Sequence, residues 1–172
     1  MGPIRAETEI DVPRERVFEF LCDLSARPAF THHFLSDFHL TRIDAVGIGA
    51  GARFRVQAPL RKVWMDTTIV ELEPPFRIIE RGQGGRVNRI PTHTAWELTE
   101  GPGSLTAVRL SHWTKPANPL DRGLEVLSAG SVWQERGWRE ALKRLREGLE
   151  SGAWGRERIA VAGGNRYATG IP

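Results

Sequence analysis

The stretch from about residue 120 to residue 150 constrains this chain most, because it reads as one long helix with a single buried stripe. At about 100° per residue from Trp138, the side chains Leu120, Leu124, Leu127, Ser131, Gln134, Leu142, Leu145 and Leu149 share one face. The C-terminal half of the stripe is aliphatic, as a core-facing helix requires. Its middle turns polar, with Ser131 and Gln134 on the stripe and Glu135 beside it. A buried helix that turns polar halfway is either solvated there or lines a cavity that holds water or a ligand. Gly123, Gly130 and Gly137 recur every seventh residue, nearly on one line. Each costs a helix about 1 kcal/mol relative to alanine. Close approach of a neighbouring backbone is the first explanation, and a helix that flexes over a pocket the second.

The chain ahead of that helix supplies the surface it must cover. Ile4, Ala6, Thr8, Ile10 and Val12 alternate with Arg5, Glu7, Glu9 and Asp11, the pattern of a half-buried strand. Pro13 suits the first position of a helix whose buried edge is Val17, Leu21 and Leu24. Ser25 can cap a second short helix through Pro28 and Phe30. Strands are then expected at residues 38–43, 52–58, 64–72, 76–81, 92–99 and 105–113. Turns fall at Gly47, Gly49 and Gly51, at Pro74-Pro75, at Gly82, Gly84 and Gly85, and at Gly101-Pro102-Gly103. Short connections imply an antiparallel meander, whose curved face the last helix covers.

At 172 residues with 40% hydrophobic side chains, the chain is expected to form one globular domain, residues 1–151, followed by a tail, residues 152–172. Apolar runs stay well short of the roughly 18 residues that span a bilayer, so membrane insertion is not expected. Nor does the N-terminus carry an apolar signal-peptide core. The single cysteine, Cys22, rules out an internal disulfide framework and fits a reducing cytoplasm, where the protein is expected to reside. The net charge is +3, with arginines spread among glutamates rather than clustered, so nucleic acid is not an expected partner.

Several words of the sequence resemble a known family. They are Ile10-Asp-Val-Pro-Arg-Glu-Arg-Val-Phe18, Val46-Gly-Ile-Gly-Ala-Gly-Ala-Arg-Phe54, Val70-Glu-Leu-Glu-Pro-Pro75, Trp96-Glu-Leu98, Thr106-Ala-Val-Arg-Leu110 and Ala141-Leu-Lys-Arg-Leu145. Over roughly residues 4–150 the chain resembles the helix-grip superfamily, also called SRPBCC or START-like, which includes polyketide cyclases and dehydrases and lipid-transfer domains. The resemblance implies an α+β helix-grip fold, with a curved antiparallel sheet of about seven strands wrapped around a long C-terminal helix and two short helices after strand 1. It also implies an apolar cavity between sheet and helix. These are fold words rather than a catalytic signature, and fold alone does not fix function.

Several candidate sites have a plain structural explanation. The Gly47-x-Gly49-x-Gly51 run continues into a strand rather than a helix N-terminus, so it is a hairpin turn and not a phosphate loop. His32, His33, His39, His93 and His112 lack the spacing of a helical metal pair, and neither a metal nor a cofactor is implied. Cys22 has no neighbouring base in sequence, and no Gly-x-Ser-x-Gly elbow is present. Strand parity is more informative. With Val70 and Leu72 core-facing, as the resemblance suggests, Trp64, Asp66 and Thr68 share their face. Trp96 and Leu98 bring Thr92 and Thr94 inward, and Val108 and Leu110 bring Thr106 and His112. Some of these polar groups turn outward instead if a strand end or bulge shifts the parity.

The expected pocket is therefore lined by Phe54, Val56, Trp64, Thr68, Thr94, Trp96, Ser131, Gln134 and Trp138. The leading expectation is binding or carriage of a small, largely hydrophobic ligand such as a lipid, polyketide or aromatic molecule. The rival is a polyketide cyclase or dehydratase, with Asp66, His112 and Glu135 as acid–base residues in the same cavity. A co-chaperone role rests on analogy of fold only. In the tail, Ile159, Val161, Tyr167 and Ile171 are apolar anchors, so part of residues 159–171 is expected to pack back on the domain or on a second copy in a homodimer.

Overall fold

A computed structural model describes residues 4–58, 61–85, 90–114 and 130–152. The first strand, β1 (Ile4–Ile10), buries Ala6 and Ile10 and exposes its charged residues. Pro13 then opens α1 (Arg14–Cys22), which buries Val17, Phe18, Leu21 and Cys22. Asp23 caps a single 3₁₀ turn (Leu24–Ala26) by accepting a bond from the Ser25 amide, and the five-residue α2 (Arg27–Thr31) follows. Six strands come next: β2 (Leu35–Leu40), β3 (Gly51–Ala58), β4 (Arg61–Glu73), β5 (Arg77–Gly84), β6 (Ile90–Glu100) and β7 (Thr106–Thr114).

All seven strands form one antiparallel sheet in the order β1-β7-β6-β5-β4-β3-β2. Every neighbouring pair from β2 to β7 is consecutive in sequence, which short turns allow, and β1 closes the far edge by pairing with β7. The sheet curls into a half-barrel, as expected of the helix-grip architecture. The last helix, α3 (Gly130–Ser151), packs on β1, α2 and β3. Its inner face is Gly137, Trp138, Ala141, Leu142 and Leu145, all buried. The outer side carries i,i+4 ion pairs, Glu135–Arg139, Glu140–Arg144, Lys143–Glu147 and Arg146–Glu150, each worth about 0.3–0.5 kcal/mol. The aliphatic half of the expected stripe is therefore in place. The part of the helix expected before residue 130, and the tail expectations beyond residue 152, lie outside the described residues.

Gly137 shows what a glycine does in this helix. A Cβ built there would lie 2.8 Å from the Phe34 ring, so the absent side chain lets an aromatic ring rest on the helix backbone. Close approach is the explanation, although a side chain rather than a backbone makes it.

Two strand expectations need correction. Gly82 and Gly84 do not close a turn but lie inside β5. A Cβ on Gly82 would meet the Asp66 carbonyl oxygen at 1.8 Å, and one on Gly84 would meet Met65 at 2.9 Å. Here glycine marks close contact between strands. The parity of β4 is also inverted over its first half. Met65, Thr67 and Ile69 are buried, whereas Trp64, Asp66 and Thr68 are only half-buried. The cause is a bulge: the β4–β5 register slips between Ile69 and Glu71, leaving Val70 unpaired and 38% exposed. Ile69 opposite Glu80 and Leu72 opposite Ile78 both face inward although they are three residues apart.

Candidate functional site

The inner face of β5, β6 and β7 is organised in rows running across the strands. One row is Ile78, Trp96 and Leu110, continued by Leu72 on β4 and Ala6 on β1, and it is apolar throughout. The next row, two residues along each strand, is Glu80, Thr94 and His112. All three are buried, as are Thr67 and Thr92 nearby. A pocket of about 20 Å³, room for about one water molecule, opens above this polar row. Its apolar walls are Phe34, Leu35, Phe38, Phe54, Val56 and Met65 on one side and Trp138 on the helix side. Its polar lining is Arg27, Thr67, Glu80, Thr92, Thr94 and His112, with Asp66 and Gln134 at the border.

Glu80 anchors the polar side. Its Oε1 accepts from Arg27 Nη2 at 2.6 Å and from the Trp96 indole at 2.8 Å, and its Oε2 accepts from Thr67 Oγ1 at 2.9 Å. Burial pushes its pKa up, but the Arg27 charge and these three hydrogen bonds outweigh that and hold the carboxyl below its ordinary value. Arg27 is 4% exposed, and its guanidinium lies over the Trp96 ring, 4.9 Å from the centroid. Arg27 Nε is buried without a partner. An unmade bond of that kind costs about 1–3 kcal/mol.

His112 is the third element. Its Nδ1 shares a 2.9 Å hydrogen bond with Thr94 Oγ1, and burial lowers its pKa to about 4, against an opposing pull from Glu80 and a small push from His93. The imidazole is therefore neutral near pH 7. Among the described residues its Nε2 has no protein partner. Cys22, beneath the site, has its thiol pKa raised to about 11, chiefly by burial, so it stays protonated and packs as a small apolar side chain.

Of the residues expected at the site, Phe54, Val56, Asp66, Thr94, Gln134, Trp138 and His112 line the pocket. Trp96 lies one row below and supports the lining from there, through its indole bond to Glu80 and ring contacts with Arg27 and Trp138. Trp64 does not line it. With the β4 parity reversed, its ring lies between Arg53 and Arg55, with guanidinium carbons 5.1 and 4.4 Å from its centroid. Thr68 is likewise absent from the lining for the same reason. The three acid–base candidates do not all reach the pocket. Asp66 spends Oδ1 on the Gln83 amide at 2.8 Å, where the β4–β5 ladder opens between Met65–Gly84 and Thr68–Arg81. Glu135 pairs with Arg139 on the outside of α3. Asp66 and His112 thus line the pocket, and Glu135 does not. The side chain of Ser131 lies outside the described residues.

Sequence reasoning missed Arg27, Thr67 and Glu80. Glu80 was detectable, since Ile78 inward carries Glu80 inward two residues on. Thr67 was hidden by the bulge. Arg27 had no signal, because its burial follows from where a five-residue helix docks. Among the described residues, no three His, Cys, Asp or Glu side chains are placed to share a metal ion. No described helix is long and apolar enough to cross a membrane.

A half-barrel gripping a long helix above a small, mixed pocket is the helix-grip architecture, and the sequence matches one family with that fold. Residues 1–150 match the family described as polyketide cyclase / dehydrase and lipid transport, and the chain belongs to that family. Among solved structures, DR_A0006 from Deinococcus radiodurans is 21% identical with a TM-score of 0.59, over 87% of this chain and 98% of that one. TTHA0849 from Thermus thermophilus is 19% identical with a TM-score of 0.64, over 88% and 99%. DynU16, a protein in the dynemicin biosynthetic locus, is 22% identical with a TM-score of 0.59, over 88% of this chain and 48% of that one. At these identities the likeness is one of fold. No curated protein matches the sequence.

Proposed function

We propose that this protein binds or carries a small, largely hydrophobic molecule bearing a polar group, held between the sheet and α3. The observation that carries the reading is the division of the pocket lining. Apolar residues of β2 and β3 with Met65 and Trp138 face a buried polar set, Arg27, Glu80, Thr94 and His112, that retains unused hydrogen-bonding capacity. Family membership and the similarity to a protein of a biosynthetic locus support the same reading.

The pocket of about 20 Å³ is too small for such a molecule, so binding requires a wall to move. The polar floor is tied across three strands, whereas β2 is an edge strand. Its pairing with β3 slips between Ser36 and His39, and Asp37 adopts φ 52°, a conformation disfavoured for a residue with a side chain. Displacing β2 with Phe34 and Phe38 enlarges the pocket without disturbing Glu80.

The cyclase or dehydratase alternative keeps two of its three acid–base residues, Asp66 and His112, on the pocket lining, with Asp66 Oδ1 bonded to the Gln83 amide. Glu80 is committed to three donors, and the low pKa of His112 makes it a weak base. Binding therefore ranks first. Native mass spectrometry of the purified protein, with tryptophan fluorescence titration by naphthyl methyl ketone, tests it. A co-purified small molecule, or saturable quenching, is expected. Ligand-free protein whose fluorescence does not respond would defeat the reading.

A further inference from the structure

The charge balance of the pocket makes a statement about its ligand. Arg27 is the one permanent cation among the described lining residues, Glu80 pairs with it at 2.6 Å, and Asp66 adds a second carboxylate to the lining. Glu80 cannot turn away to serve a ligand, because Trp96 and Thr67 also bond to it. Yet Arg27 lines the pocket and carries five N–H donors, and its buried Nε has no partner. The pocket thus offers hydrogen bonds without offering net positive charge. His112 adds a second polar atom, Nε2, which as part of a neutral ring serves a hydroxyl or a carbonyl equally well, according to tautomer.

A carboxylate would bring an uncompensated negative charge against Phe34, Phe54 and Trp138. It would gain a counter-charge only by pulling Arg27 off Glu80, leaving that buried carboxylate exposed to the same penalty. An uncharged oxygen needs one N–H and disturbs nothing. We propose that Arg27 is the ligand-binding donor of this pocket, that it takes an uncharged oxygen such as a ketone, amide or hydroxyl, and that Glu80 is the positioning residue that makes the site reject carboxylates of the same shape. This inference rests on the ligand-binding reading above.

The test compares naphthyl methyl ketone with naphthoate at the same ring position, a near-isosteric pair, titrated into the full chain at neutral pH and read by isothermal calorimetry. The ketone is expected to bind about tenfold more tightly or better. In Glu80→Gln, which frees the Arg27 charge, the preference is expected to shift toward naphthoate by a similar factor. If that variant does not fold, the wild-type ratio still decides. Naphthoate binding as tightly as the ketone to wild type, or an unchanged ratio in folded Glu80→Gln, overturns the inference while leaving the binding reading intact. If neither probe binds, the inference falls, and the binding reading falls with it only where mass spectrometry also finds no co-purified molecule.

Discussion

The two halves of the sheet's inner face are built by the same strands and by the same alternation, yet they do different work. In the row of Ile78, Trp96 and Leu110, the side chains are buried in the core, Trp96 against Phe30 and Trp138, and burial of each large one contributes about 1.5–3 kcal/mol. Two residues along, Glu80, Thr94 and His112 occupy equivalent positions and are also buried, but hydrogen bonds rather than dispersion hold them. Trp96 joins the halves, its ring in the first and its indole N–H in the second. The apolar half contributes stability that is indifferent to pH and ligand. The polar half contributes stability that depends on charge state, and it leaves donors unused.

The most severe way to break this contrast is to remove one member of the buried pair. Arg27→Met leaves Glu80 buried without its counter-charge and is expected to cost about 3–5 kcal/mol in urea denaturation, whereas Arg27→Met with Glu80→Met recovers much of that loss. A single substitution within about 1 kcal/mol of wild type would contradict the account of the polar half. On the apolar side, Leu110→Ala should cost about 2–5 kcal/mol, while the ketone-to-naphthoate ratio stays unchanged in calorimetry.

Acid separates the halves more gently. His112 titrates near 6.5 unfolded and about 4 folded, so the unfolded state takes up its proton first as pH falls. Stability from this residue is full above pH 6.5, declines toward pH 4 and then levels, for a total of about 3 kcal/mol. Glu80, also depressed, adds its loss only from about 4.5 downward. Melting temperatures of wild type and His112→Gln should therefore diverge in slope between pH 6.5 and 4.5, with the variant flatter. Parallel slopes would show that His112 is not held neutral by burial. The smallest effect concerns the helix. Gly137→Ala gains about 1 kcal/mol of helix propensity, yet its methyl group meets Phe34, so a net loss of about 1–2 kcal/mol is expected by thermal melts.

The fold was legible because its signals are local and redundant. Alternation in β1, β3, β6 and β7, Pro13 at the head of α1 and the aliphatic stripe of α3 each point to the same half-barrel. The site was legible only where parity ran unbroken. Thr92 and Thr94 follow from Trp96, and His112 follows from Leu110, so β6 and β7 were placed correctly. On β4 a single unpaired residue reversed the assignment of Trp64 and Thr68, and nothing in Thr-Thr-Ile-Val-Glu announces it. Arg27 was out of reach for a different reason. Its partner is 53 positions away, and a lone arginine beside a proline reads as surface.

The bulge at Val70 has a consequence for how this chain can vary. It works as a one-residue spacer between two stretches of β4 that would otherwise be out of phase. Losing that one codon would leave composition, hydrophobicity and length almost untouched. It would nevertheless force a choice: keep Leu72 opposite Ile78 and present Trp64, Asp66 and Thr68 to the pocket, or keep Met65, Thr67 and Ile69 there and expel Leu72. The first choice withdraws Thr67 from Glu80 and sets a bulky indole where Met65 lies; the second opens the core beneath Trp96. Substitutions along this strand can therefore accumulate gradually, whereas a deletion at residue 70 acts as a frameshift in three dimensions, rewriting which side chains a ligand meets without altering any of them.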